Sequence, residues 1–180
     1  MSESTITYRG TVYPWQCDHM GHMNVMWYAG RFDEASWQLL SMMGLTAARF
    51  REECVGMAAV EQHVRYLHEL HAGDPITVRS AILELGTTSI RLMHEMRNDA
   101  TGDTAATSAI VAVYIDATMR KARPLPTDVR QRVAHVIDDV SPGLAARPCG
   151  TKDVDSLPGE GKCSPTLVHS SGLLLCLIFL

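Results

Sequence analysis

Along this chain the spacing of apolar residues switches between two and three-to-four, and each switch marks an element boundary. Residues 6–13, ITYRGTVY, are rich in β-branched and aromatic types and predict a first strand, which Pro14 ends. A polar stretch, CDHMGHMNV at 17–25, follows. From Asn24 the pattern is helical: Met26, Ala29, Gly30, Phe32, Asp33, Trp37, Leu40 and Met43 contain an apolar set spaced by three and four. Asn24 can cap the unpaired first-turn N–H groups and Gly44 supplies a stop, so the helix is expected over about 25–43.

A shorter helical stretch, TAARFREEC, leads into a run of strands. MAAVEQHVRYLHEL (57–70) alternates around Val60, Val64 and Tyr66, and AGDP turns the chain into ITVRSAILEL (76–85). TSIRLMHEMRN (88–98) sets Ile90, Leu92 and His94 against Arg91, Met93 and Glu95. TAATSAIVAVYID (104–116) is the most hydrophobic strand and is expected at the sheet's centre. After RKARPLP, a short charged helix covers roughly 127–139. A strand, a long helix and then an antiparallel meander mean α+β, with one helix packed on one sheet face. That helix is apolar over a wide arc, including Trp27, Phe32, Trp37 and several methionines, which suits a central helix wrapped by a curved sheet. From about 140 the chain is rich in Gly, Pro, Ser and charge without periodicity. The expected organisation is one domain over 1–139 and a flexible tail over 140–180, which ends in GLLLCLIFL.

Composition narrows the function classes. With 180 residues, 46% hydrophobic and 20% charged, the chain can bury a real core. A net charge of −4 gives no overall attraction to nucleic acid or to anionic membrane, so an anionic ligand would need a local basic cluster. Arg120, Lys121 and Arg123 form one, fit for the phosphates of a nucleotide-bearing substrate or for solvent alone. Five cysteines, no CxxC and no N-terminal signal pattern favour reduced thiols and a cytoplasmic location. The C-terminal apolar run is about half of what crosses a bilayer, so no membrane span is expected.

The chemistry concentrates in CDHMGHMNV. A metal reading has Asp18, His19 and His22 close in sequence, but zinc sites usually add a ligand from a distant element. His63, His68, His71 and His94 are available for that, with no spacing that singles one out, so no metal is expected. A phosphate loop lacks its glycines, and a Ser or Cys nucleophile lacks a GxSxG or a partner for Cys17. A bland reading makes Asp18 and Asn24 mere caps of the helix. Against it, Asp18 lies six residues ahead of Asn24, so its carboxylate can fold over the helix start. The unpaired N–H groups there suit a carbonyl oxygen that gains negative charge under attack. Carboxylate and helix end together are the parts of hydrolytic acyl transfer, with Gly21 allowing a sharp turn and close approach.

The series V-x-P-x-x-x-D-x-x-G-H-x-N-x-x-x-Y, from Val12 through Pro14, Asp18, Gly21, His22 and Asn24 to Tyr28, resembles the hot-dog-fold acyl-CoA thioesterases of the 4-hydroxybenzoyl-CoA thioesterase type. The likeness runs through FDEASWQLLSMMGL and on to YIDATMRKARPLP, covering about 8–133. The resemblance implies a five-stranded antiparallel sheet wrapped around one long helix, in dimers or tetramers with sites between subunits. It implies hydrolysis of an acyl-CoA thioester, with coenzyme A as part of the substrate rather than a cofactor. Asp18 matches the motif aspartate, nucleophile or general base, and Val25 matches the backbone N–H that polarises the carbonyl. His22 and Asn24 match positions that shape the loop and orient the acyl end or the water. Gly21, Tyr28, His63 and the basic cluster Arg120, Lys121 and Arg123 are the expected substrate contacts. The methionines Met20, Met23 and Met26 depart from the pattern and favour an adaptable apolar pocket. Glu34 reads as a solvated or structural glutamate, and the Trp27, Trp37 and Met stripe as core. Two other functions remain open: a hydratase or dehydratase with His22 or His63 as base, and a non-catalytic binder of acyl-CoA or acyl carrier.

Overall fold

The computed structural model describes residues 4–138. The expected tail over 140–180 lies outside the described residues. Strand β1 (Thr5–Thr11) leads through a 3-10 turn (Pro14–Gln16) to helix α1 (Val25–Met42) and the short α2 (Ala47–Glu52). Strands β2 (Val55–Tyr66), β3 (Pro75–Leu85), β4 (Ser89–Asn98) and β5 (Thr104–Asp116) follow, then β6 (Lys121–Ala122) and α3 (Thr127–Asp138). The sheet is antiparallel in the order β1-β3-β4-β5-β2, with β6 pairing on β5. This is the hot-dog arrangement of one long helix against a five-stranded antiparallel sheet, to which the two-residue β6 is an addition.

Alternation writes the inner face of the sheet. Ile76, Val78 and Ile82 from β3, Ile90, Leu92 and Met96 from β4, and Ala106, Ile110, Ala112 and Tyr114 from β5 are all buried. Helix α1 meets them with Tyr28, Phe32, Ala35, Leu39, Leu40 and the C-cap Met43, a stripe at intervals of three and four. The expected apolar set was rotated from this stripe: Met26 and Ala29 are exposed. The helix thus keeps an apolar flank that its own sheet does not cover.

Two further expectations are corrected. Strand β5 is interior, between β4 and β2, but β4 holds the centre. On β2 the buried residues are Val55 and Met57, whereas Val60 is 62% and Tyr66 50% exposed. A register shift between Ala59 and Glu61 leaves Val60 as an extra residue, and such a bulge breaks the two-residue alternation that the sequence pattern assumed. Strand β2 also stops at Tyr66, four residues before the end of its expected run.

A polar row divides the core. Ser80, His94 and Ser108 are register partners across β3, β4 and β5, and all three are buried. Ser36 of α1 donates to the Phe32 carbonyl at 2.9 Å, so its oxygen accepts from His94 Nε2 at 3.0 Å. That assignment leaves Nδ1 as acceptor for the Ser80 hydroxyl at 2.6 Å, and Ser80 in turn contacts Thr7 at 2.6 Å. One apolar cluster, around Phe32, Val78 and Met96, lies to one side of this row. The other, around Leu40, Leu92 and Tyr114, lies to the other side. Every member of the row has a partner, Ser108 through the Gln62 amide at 3.2 Å, as buried polar groups require.

Candidate active site

The motif loop is a small hairpin tied at three levels. Asn24 N–H donates to the Gln16 carbonyl at 2.8 Å, Cys17 pairs with Met23, and Asp18 N–H donates to the His22 carbonyl at 2.9 Å. Gln16, almost fully buried, returns its side-chain oxygen to the Tyr13 N–H at 2.9 Å. Met23 N–H donates to the Leu70 carbonyl at 2.7 Å, which fastens the hairpin to the segment beyond β2. At the tip, Gly21 adopts φ +82°, a left-handed conformation that a side chain would strain.

Asp18 caps this tip. Its Oδ1 accepts from the Met20 N–H at 2.8 Å, an Asx turn that fixes the carboxylate's direction. Among the described residues nothing donates to Oδ2, and the residue is half-buried. Asn24 is the N-cap of α1, its Oδ1 accepting from Met26 N–H at 3.0 Å. At the first position of α1, the Val25 N–H meets no acceptor among the described residues, and Val25 is 58% exposed. An open N–H at a helix start, next to the helix's own cap, is a ready cradle for an oxyanion. Loss of the cap in Asn24→Ala is expected to cost about 1 kcal/mol of stability. Thermal unfolding should register this as a lower Tm, and an unchanged Tm would show that the cap carries nothing.

The other predicted residues divide sharply. His22 lies against Glu69, Nε2 to Oε2 at 3.1 Å, and edge-on to His71. Tyr28, expected to touch substrate, is instead 4% exposed and edge-on to Tyr66. Burial, with a Leu70 backbone hydrogen bond acting against it, pushes its hydroxyl up to about 12, so it serves the core beneath the loop. His63 is exposed on β2. Arg120, Lys121 and Arg123 are exposed beyond the far end of β5, where Arg123 approaches Asp116 at 3.7 Å. The hairpin lies near the opposite end, because Leu67 and His68 N–H groups bind the Ala105 carbonyl just before Leu70. Ten residues of β5 separate these ends, about 30 Å at strand rise. Within one protomer, the basic cluster and Asp18 therefore do not meet. Glu34 pairs with Arg31 through both carboxylate oxygens, at 2.9 and 3.0 Å, as a structural glutamate would.

Sequence reasoning missed a cavity of about 210 Å³ between α1 and strands β2 and β5. Ala29, Asp33 and Ser36 line it from the helix, and Gln62 and Ile110 from the strands. Val25, Ala29 and Asp33 follow at intervals of four, so the cavity opens on the helix stripe that begins at the open N–H. Gln62 donates to Ser108 at 3.2 Å, which joins the cavity wall to the buried polar row. Burial, reinforced by the Glu34 charge, pushes the Asp33 carboxyl above the usual range. The signal in the sequence was present: Gly30 and Asp33 sit within an apolar helical stripe, where neither packs well.

Among the described residues, no helix is long and apolar enough to cross a membrane. A family model described as the thioesterase-like superfamily matches residues 12–133. An L-carnitine dehydrogenase/betainyl-CoA thioesterase of Agrobacterium fabrum is 29% identical over 119 residues. That match takes in 66% of this chain and 24% of the relative, so the chain spans about a quarter of that relative's length. A betainyl-CoA thioesterase of Pseudomonas aeruginosa is 24% identical over 133 residues, 74% of this chain and 84% of the relative. Among solved structures, a Staphylococcus aureus protein in complex with CoA superposes with a TM-score of 0.76 at 20% identity, covering 86% of this chain and 97% of that one. A 1,4-dihydroxy-2-naphthoyl-CoA thioesterase from Synechocystis reaches 0.65 at 20% identity, covering 72% and 95%. At such identities the likeness to the solved structures is one of fold.

Proposed function

The chain belongs to the thioesterase-like superfamily, and from that premise we propose that it hydrolyses an acyl-CoA thioester to a free acid and coenzyme A. The observation that carries this reading is the open Val25 N–H at the start of α1, led into by the hairpin that holds Asp18, whose Oδ2 takes no hydrogen bond among the described residues. The thioester carbonyl oxygen accepts from Val25 N–H, and the helix start stabilises the charge that develops there. Asp18 then acts in one of two ways. As a base it takes a proton from water, whose oxygen bonds to the carbonyl carbon; the C–S bond breaks, and the thiolate recovers that proton. As a nucleophile it bonds to the carbon itself, expels the thiolate and forms a mixed anhydride that water cleaves.

The acyl group extends from Val25 along Ala29 towards Asp33, into the cavity on that flank. The betainyl-CoA named for two relatives makes a cationic acyl group a natural first substrate to try, and the Asp33 carboxylate lies at the far end of the stripe. The working form is a homo-oligomer. Strand β2 is a twelve-residue edge with no outer partner among the described residues, and it exposes Val60. Trp15, Met20, Val25 and Met26 form an exposed apolar rim around the hairpin, suited to a substrate or a second copy. Pairing with a second copy is also the way a distant basic cluster could serve a site it does not reach in its own protomer. The free Cys17 and Cys54 agree with a reducing, cytoplasmic setting.

Hydrolysis of betainyl, short, branched, aromatic and long acyl-CoAs, followed by release of free thiol, tests the assignment. Turnover of at least one ester is expected. Binding of CoA esters without thiol release would make the protein a binder, and hydration of a conjugated acyl group without thiol release would make it a lyase.

A further inference from the structure

The sequence offered several distant histidines as possible metal donors without singling one out, and the fold selects His71. Residues His22 and His71 are partners in an antiparallel bridge, so their side chains stand side by side on one face. Glu69 and His71 are two apart along the extended segment after β2, with Leu70 between them fully buried. That alternation turns Glu69 and His71 outward together. The result is two imidazoles and a carboxylate whose donor atoms all lie within 4.8 Å of one another. His22 Nε2 and Glu69 Oε2 are already 3.1 Å apart.

We propose that His22, Glu69 and His71 form a binding site for a divalent d-block cation of the zinc type, which clips the motif hairpin to the segment between β2 and β3. Nitrogen and carboxylate donors suit zinc, and three protein ligands leave a fourth position for water. Bonds of about 2.0–2.1 Å in a tetrahedral site put donors roughly 3.4 Å apart. Closing the observed spread needs only small rotations of side-chain ends, since the backbone is already fixed. Met23 N–H holds the Leu70 carbonyl at 2.7 Å, and Asp74 Oδ2 accepts the His71 N–H at 2.8 Å. His19, the histidine nearest in sequence to His22, is exposed and stands outside the cluster. An ion here would also steady Asp18, because the His22 carbonyl is the acceptor of the Asp18 N–H. The site is independent of the hydrolase reading and can be tested without any acyl ester.

The full chain, stripped with a chelator, is titrated with zinc chloride by calorimetry and with cobalt chloride by visible absorption. One ion per chain is expected, with the cobalt bands of a low-coordinate N/O site. His71→Ala and Glu69→Gln should each weaken binding by at least roughly 100-fold, since even outer-shell losses cost about 10–100-fold. Both positions are exposed, so the metal-free melting temperatures of the two variants should match the parent's. His68→Ala, a neighbouring exposed imidazole outside the cluster, should leave affinity unchanged. No binding by the parent chain overturns the proposal, as does binding that survives His71→Ala or is lost in His68→Ala.

Discussion

Asp18→Asn should reduce kcat for thioester hydrolysis by about 10²–10⁴, the range lost with a positioned general base, while KM changes little. The substitution is clean on structural grounds. The Asn side chain retains an oxygen for the Met20 N–H, now bonded at 2.8 Å, so the Asx turn and the hairpin behind it persist. The Val25 N–H is untouched, and so is the Asn24 cap that orients the first turn of α1. What disappears is the charge and basicity of the free oxygen, which the proposed mechanism uses in the chemical step. An unchanged melting temperature with slow thiol release is the expected pair of readings. A variant with near-normal turnover on every ester the parent accepts would remove Asp18 from the mechanism.

The second large effect concerns stability and pH. His94 is fully buried, and desolvation lowers it from 6.5 to about 4. The unfolded chain therefore takes up a proton that the folded chain refuses. The stability carried by neutral His94 is complete above pH 6.5 and is lost as pH falls from there towards 4. At about 1.4 kcal/mol per unit, that window is worth roughly 3 kcal/mol. His94→Leu removes this proton linkage together with the hydrogen bonds to Ser36 and Ser80. At pH 7.5 the variant should be weaker by about 1–3 kcal/mol, the cost of buried hydroxyls losing a partner. At pH 5 the two proteins should converge, because only the parent pays for keeping the imidazole neutral. Urea unfolding at the two pH values measures both. Parallel loss of stability in parent and variant would show that His94 does not carry the acid dependence.

Much of the sheet was legible because half-buried strands state their inner face by alternation. Strand β4 is the clearest case: Ile90, Leu92, His94 and Met96 all point inward as their spacing requires. The same reasoning failed in part on β2: the bulged Val60 is exposed, whereas Val64 beyond it packs against the core as its spacing requires. It also misplaced part of the α1 stripe. Met26 and Ala29 are apolar, yet they belong to the flank that faces the rim and the cavity rather than the sheet. A helix with two apolar faces reports that both are used, without saying which one meets its own sheet.

The hairpin's local chemistry was also written in the chain. The Asn24 cap, the Gly21 turn and the position of Asp18 ahead of the helix depend on neighbours within a few residues. Sequence alone therefore determined the element order, the helix start and the residues that surround it. Tertiary structure decided everything that joins residues far apart. It drew His71 to His22 through a bridge across 49 positions. It sank Tyr28 below the loop and aligned Ser80, His94 and Ser108 into one buried row. It also set the basic cluster about a strand's length from Asp18. The physical reason is the range of the forces. Caps, turns and alternation act over one to four residues, whereas register and sheet order are fixed by backbone pairing between strands that no local pattern can address.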